Sequence, residues 1–184
     1  MESSNESALV ILVPEAEALV KPFRDKYDPL AAKGMVSHVT LLYPFKAPDE
    51  ISIAVTHRLQ SLFAALPRFT LSFAEIRRFP GVLYLAPTPE SPVKALAQAI
   101  AREFPDARPY GGAFAEIIPH LTVVQVADEQ QLDAIAAEFS QAAQKIFPIE
   151  ARVTEVALMD DGQGTWQVRG RFGLANNESL QARH

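Results

Sequence analysis

The sequence predicts an α+β fold, with two small lobes folded as one domain and each lobe a sheet backed by helices on one face. Three observations carry this. Segments of strand and helix periodicity follow one another in the same order in each half of the 184-residue chain. A tripeptide of histidine, apolar residue and threonine occurs twice, at His38-Val39-Thr40 and His120-Leu121-Thr122, 82 residues apart. No linker-like stretch divides the halves, because residues 77–81 (RRFPG) form a tight turn between two strands. Together they describe a tandem duplication of a unit of about 80 residues, the first lobe from 8–78 and the second from 82–174 within one domain at 8–176. Residues 1–7 and 177–184 are polar and are expected to be flexible tails.

In the first unit, 8–14 (ALVILVP) is a short apolar run typical of a buried strand. Ala16, Leu19, Val20, Phe23 and Tyr27 then recur at the spacing of one helix face. A loop of small residues beginning at Asp28-Pro29 leads to the first motif strand, 38–45. Pro48-Asp49 opens a second helix that carries Val55, Leu59, Leu62, Phe63 and Leu66 on its apolar side. Residues 69–76 (FTLSFAEI) alternate at period two and read as a strand with one wet face.

The second unit repeats the order. Residues 82–86 (VLYLA) are a strand, and Ser91 is expected to cap a helix that begins at Pro92 and carries Val93, Leu96, Ala97, Ile100 and Phe104. A loop containing Pro109-Tyr110-Gly111-Gly112 precedes the second motif strand, 120–126. Asp128 caps the next helix, with Leu132, Ile135, Ala136 and Phe139 on its inner side. Residues 149–159 alternate as one strand, and Asp160-Asp161-Gly162-Gln163-Gly164 turns the chain into a last strand at 166–174.

Residues two apart on a strand share a face. His38, Thr40 and Leu42 therefore stand together, opposite Val39, Leu41 and Tyr43. The second motif likewise sets His120, Thr122 and Val124 against Leu121, Val123 and Gln125. The apolar faces have helices to pack on, so the His/Thr faces are left to line a groove between the lobes. That layout suits phosphodiester cleavage. A histidine with a pKa near ~6.5 takes a proton from water or a hydroxyl, and a second, protonated one gives a proton to the leaving oxygen. Threonine hydroxyls donate to the non-bridging phosphate oxygens. No metal or cofactor is required by this chemistry. Two other readings stay open: two structural histidines, or a metal site for which Glu116 is the one nearby carboxylate.

With these residues in place, the chain resembles the two-histidine (2H) phosphoesterase superfamily, in particular the bacterial 2′-5′ RNA ligase-like proteins. The resemblance spans roughly residues 8–174 and rests on the paired His-apolar-Thr-apolar motifs and the segment order. It implies a duplicated bilobal fold of two small, mainly antiparallel sheets backed by helices around a central cleft. It implies metal-independent chemistry on 2′,3′-cyclic phosphates or related small phosphodiesters. Carried over residue by residue, it makes His38 and His120 the acid–base pair and Thr40 and Thr122 the phosphate binders. The first motif here runs on into Leu42-Tyr43-Pro44-Phe45, where the RNA-ligase branch commonly ends in an apolar residue and glycine.

Further candidates for substrate contact are Tyr43, Arg78, Tyr110 and Arg169. Arg77, Arg108 and Arg171 are cations of the same kind, and Tyr84 is a second aromatic that either stacks on a base or packs in the core. The glycine-rich segment 110–114 (YGGAF) is suited to move over a cleft, and His57 is expected on the surface.

Composition limits the partners. A net charge of −5 argues against a broad face for long nucleic acid and leaves a small phosphodiester, a nucleotide or an RNA end. The absence of cysteine excludes disulfides and thiolate catalysis and fits a cytoplasmic protein. The leading MESSNES lacks the basic start of a signal peptide, and no apolar run approaches the ~20 residues of a membrane helix. The expected state is a monomer. The lead reading is thus a cyclic phosphodiesterase. Its alternatives are a non-catalytic module that binds a nucleotide or RNA terminus in the same cleft, and a structural or protein-binding role.

Overall fold

The computed structural model describes residues 5–107 and 117–176. Eight strands are arranged in two four-stranded sheets, and every pairing between them is antiparallel. The first sheet has the order β2 (His38–Leu42), β1 (Ser7–Leu12), β7 (Glu155–Asp160), β8 (Gln167–Gly173). The second has the order β5 (Leu121–Gln125), β4 (Val82–Thr88), β3 (Phe69–Phe79), β6 (Ile149–Val153). Four α-helices are described: α1 (Glu17–Tyr27), α2 (Ile53–Ala64), α3 (Ser91–Glu103) and α4 (Glu129–Ala143). Among the described residues no helix is long and apolar enough to cross a membrane.

The sheets do not coincide with the sequence halves. β3 leaves the first half to pair with β4, and β7 and β8 return from the second half to extend β1. A division between 78 and 82 therefore falls inside the β3–β4 hairpin rather than between lobes. The helices cross over as well, since α1 packs against β5 and α3 against β2. One apolar core consequently runs through both halves. It joins Leu9, Ile11, Val39 and Leu41 of the first sheet to Leu83, Leu85, Leu121 and Val123 of the second, all 1% exposed or less. Complete burial of each such side chain contributes about 1.5–3 kcal/mol.

The expected strand at 149–159 is two strands that belong to different sheets. Ala151 and Val153 face the core in β6, and Val156 and Leu158 face it in β7. The inward phase thus slips by one residue at Thr154, where the chain passes between sheets. The carbonyl of Thr154 accepts from Leu174 N at 2.8 Å.

Local chemistry moves three other boundaries. α2 begins at Ile53 because the Ser52 hydroxyl accepts from Val55 N at 3.3 Å, while Pro48–Glu50 closes only a 3-10 turn. α3 is capped by Glu90 instead of Ser91, for the Glu90 carbonyl already accepts from Lys94 N and draws Ser91 into the first turn. β3 runs through Arg77, Arg78 and Phe79, which leaves Pro80-Gly81 as the turn. Gly81 has φ +72°, and a Cβ there would meet the Val126 carbonyl oxygen at 2.7 Å. Asp128 caps α4 as expected, its carboxylate accepting from the backbone N–H of Gln130 and Gln131.

Candidate active site

The two motif strands are the outer strands β2 and β5, and they lie against each other across the two sheets. His38, Thr40, His120 and Thr122 line one cavity of about 690 Å³, within the usual range for a small-molecule site. The inner faces of both strands fill the core, so strand parity sends the motif side chains to the cavity.

Each histidine is held in the same way. Nδ1 of His38 donates to the Val36 carbonyl at 2.7 Å, and Nδ1 of His120 donates to the Ile118 carbonyl at 2.7 Å. A proton held on Nδ1 leaves Nε2 of each ring as the nitrogen that exchanges protons. Burial pushes the His38 pKa down to about 4; the nearby Arg24 and His120 add to the depression, and the Val36 carbonyl and Asp28 oppose it. Burial also lowers the His120 pKa, against the pull of the Ile118 carbonyl. Both rings are therefore neutral at pH 7 until an anion enters, because a negative charge close by favours the protonated form.

Their surroundings differ. Phe79 and Tyr84 stack at 4.4 Å and both meet the His120 ring edge-on, at 5.3 and 5.6 Å. On the His38 side the cavity wall includes Asp28, which receives a buried ion pair from Arg24 (Nε to Oδ2, 2.9 Å) and caps Leu30 N through Oδ1 at 2.9 Å.

A bulge in each motif strand alters the expected facing. Val10 pairs with Thr40 and Leu9 with Leu42, so Leu41 is the extra residue in β2. In β5, Tyr84 pairs with Thr122 and Leu83 with Val124, so Val123 is the extra residue. Leu41 and Leu42 both enter the core, as do Val123 and Val124. The phase then resumes shifted by one, and Tyr43 and Gln125 line the cavity instead of the apolar face. Gln125 is a cavity residue that strict alternation hides. Trp166 is another residue of the cavity wall and is largely buried there.

Arg78 and Arg169 are not cavity residues. Arg78 projects from β3 and pairs with Asp133. Arg169 is the extra residue of a bulge in β8, opposite the step from Leu158 to Met159, and reaches the Asp160 carboxylate at 3.2 Å and the Pro48 and Ile51 carbonyls. Arg77 and Arg171 are likewise spent on Glu75 and Glu155. Tyr84 has one side on Phe79 and His120 and is buried. Arg108, Tyr110, the 110–114 glycine segment and Glu116 lie outside the described residues. Among the described residues no group of three or more His, Asp or Glu side chains is placed to hold a metal ion.

The model of the 2′-5′ RNA ligase superfamily matches residues 12–165, and so includes both motifs. The chain belongs to the 2′-5′ RNA ligase superfamily. Solved structures share the fold of this 2′-5′ RNA ligase superfamily member. TT0787 of Thermus thermophilus has a TM-score of 0.61 at 16% identity, over 94% of this chain and 99% of that one. E. coli LigT complexed with 3′-AMP has a TM-score of 0.59 at 20% identity, over 92% and 98%. E. coli LigT complexed with NADP+ has a TM-score of 0.55 at 21% identity, over 95% and 99%. No curated protein sequence matches the chain.

Proposed function

We propose that this protein is a metal-independent phosphodiesterase that opens a 2′,3′-cyclic phosphate, or a related small cyclic phosphodiester, on a nucleotide or RNA end. The observation that carries the reading is the pair of identically tethered histidines in one cavity, each with a threonine two residues on. In the reaction, the cyclic phosphate anion enters and raises the histidine pKa values, so that one ring holds a proton on Nε2. The neutral ring takes a proton from water as its oxygen bonds to phosphorus. The protonated ring gives its proton to the ring oxygen as the P–O bond breaks, and a phosphomonoester with a free hydroxyl results. Thr40 and Thr122 donate to the non-bridging oxygens, where charge accumulates.

Two proton transfers at 10²–10⁴-fold each amount to roughly 5–11 kcal/mol of barrier lowering. Ligation is the same ring opening with the 5′-hydroxyl of a second RNA end in place of water as the nucleophile. Both the small cavity and the acidic net charge favour a nucleotide or RNA end over extended RNA.

The test is turnover of a nucleoside 2′,3′-cyclic phosphate in excess EDTA, with His38→Ala and His120→Ala alongside. Turnover by the parent protein and its loss in both variants is the expected result. Activity surviving either substitution sinks the acid–base assignment, and loss on chelation points to a metal. Binding without turnover in the parent would leave a nucleotide-binding module.

A further inference from the structure

The two histidines share a tether but not what stands behind it. His38 Nδ1 donates to the carbonyl of Val36, two places before it, and His120 Nδ1 does the same to Ile118. The residue between is Ser37 in one case and Pro119 in the other. Burial runs alike through both tripeptides: exposed, buried, half-buried. A peptide group is planar, so the carbonyl that holds each ring turns only together with the nitrogen of the residue that follows.

At His120 the chain itself fixes that plane. The Pro119 ring sets its own φ and confines Ile118 to an extended ψ, which gives the Ile118 carbonyl its direction. Ser37 imposes neither restriction. Its N–H belongs to the same peptide as the Val36 carbonyl and donates to Oε1 of Glu17, the first residue of α1, at 2.6 Å. This peptide is trans, so its carbonyl and N–H point to opposite sides. His38 and Glu17 therefore grip one plane from its two edges.

The Ser37 carbonyl is held separately, accepting from Val13 N at 2.9 Å. The Ser37 hydroxyl is buried without a partner among the described residues. Position 37 thus contributes its backbone N–H rather than its side chain. Glu17, Val36 and Ser37 also line a pocket of about 330 Å³ that neither histidine borders. Water from that pocket could satisfy the N–H in place of the carboxylate, but it would not fix the plane.

We propose that Glu17 is a positioning residue for His38. Through the Val36–Ser37 peptide it fixes the carbonyl that keeps the His38 proton on Nδ1, the task that Pro119 performs for His120. The effect on turnover rests on the proposed phosphodiesterase reading. With the peptide loose, the His38 ring turns and its proton moves to Nε2, which removes the lone pair that would accept a proton from water.

The test uses Glu17→Ala, Glu17→Gln and the double variant Glu17→Ala/Ser37→Pro. Long-range proton–nitrogen NMR of the rings at about pH 8, above the ordinary histidine pKa, reads the tautomers. Glu17→Ala is expected to move His38 from the Nδ1–H form toward a mixture and to leave His120 as it was. Its kcat on a nucleoside 2′,3′-cyclic phosphate falls at least about 5-fold, with KM within about twofold of the parent. Glu17→Gln keeps a carbonyl oxygen for the Ser37 N–H, so it should keep the parent spectrum and a kcat within about twofold. Ser37→Pro gives the first motif the proline of the second and should restore both properties to the Glu17→Ala protein. Both Glu17 variants lose the same charge at the start of α1, so a mere weakening of the helix would affect them equally.

A parent-like His38 spectrum in Glu17→Ala, or equal disturbance of His38 and His120, overturns the proposal. So does a Glu17→Gln protein that behaves as Glu17→Ala, or a folded double variant that keeps the Glu17→Ala spectrum. If the parent turns nothing over, the phosphodiesterase reading falls, and the His38 spectrum still decides the role of Glu17.

Discussion

Leu41 of β2 and Val123 of β5 occupy equivalent bulges, each three residues after a cavity histidine and each buried in the shared core. The two motifs are thus alike in backbone as well as in sequence. The extra residue lets two successive side chains enter the core and turns the next one, Tyr43 or Gln125, back to the cavity. Leu41→Ala removes a fully packed side chain and is expected to cost about 2–5 kcal/mol in denaturant unfolding. A loss well under 1 kcal/mol would mean that the bulge does not anchor the strand.

Stability should fall with acid through the histidines. The folded-state pKa of His38 is depressed to about 4, below the ordinary 6.5. The unfolded chain therefore binds the proton first. The His38 contribution is fully present above about pH 6.5 and is lost as pH falls toward 4, at up to ~1.4 kcal/mol per pH unit, and His120 acts in the same direction. His38→Gln should flatten this part of the stability–pH curve measured by urea denaturation. An unchanged slope would refute the depressed pKa.

Anion binding carries the opposite linkage. Sulfate remains a dianion between pH 7 and 5, so any gain in its affinity over that range comes from protonation of the protein. Calorimetry is expected to show tighter sulfate binding at pH 5 than at pH 7, with proton uptake. In the His38→Ala/His120→Ala double variant the pH dependence should vanish.

The threonines are testable at constant shape. Thr40→Val and Thr122→Val keep a β-branched side chain and remove the hydroxyl. One charge-assisted hydrogen bond lost in the transition state corresponds to about 10–100-fold in kcat/KM for each variant, with the melting temperature nearly unchanged. A change under twofold would assign these residues to the strand alone.

Arg24 and Asp28 form a buried pair, 3% and 2% exposed at the side chain. Asp28→Asn leaves Arg24 as an uncompensated buried charge and weakens the cap on Leu30 N, at a cost of about 3–5 kcal/mol. Arg24→Met combined with Asp28→Leu should cost less than either single change. A double-mutant cycle in urea measures the coupling, and strictly additive losses would exclude it.

Arg78→Ala and Arg169→Ala provide the counter-test to the sequence-based expectation. Both guanidinium groups are held by carboxylates away from the cavity. Steady-state kcat/KM should stay within about twofold of the parent. A 10-fold loss in either would place that arginine on the substrate after all.

The sequence alone determined the local and periodic features. Two His-x-Thr motifs on strands, helices with clear apolar faces, the Asp128 cap and the α+β class all follow from spacing and side-chain chemistry within about ten residues. Tertiary structure decided what depends on pairing partners. The bulges at Leu41 and Val123 are defined only against β1 and β4, so the cavity positions of Tyr43 and Gln125 could not be read by counting in twos. The slip at Thr154 left a trace in the inward phase of Val153 and Val156, yet which sheet each strand joins was settled by the exchange of strands between halves. That exchange follows from burial. Each half exposes an apolar face too large to leave in water, and crossing strands and helices between sheets closes both faces into one core. The closure brings β2 against β5, and with them the two histidines to one cavity.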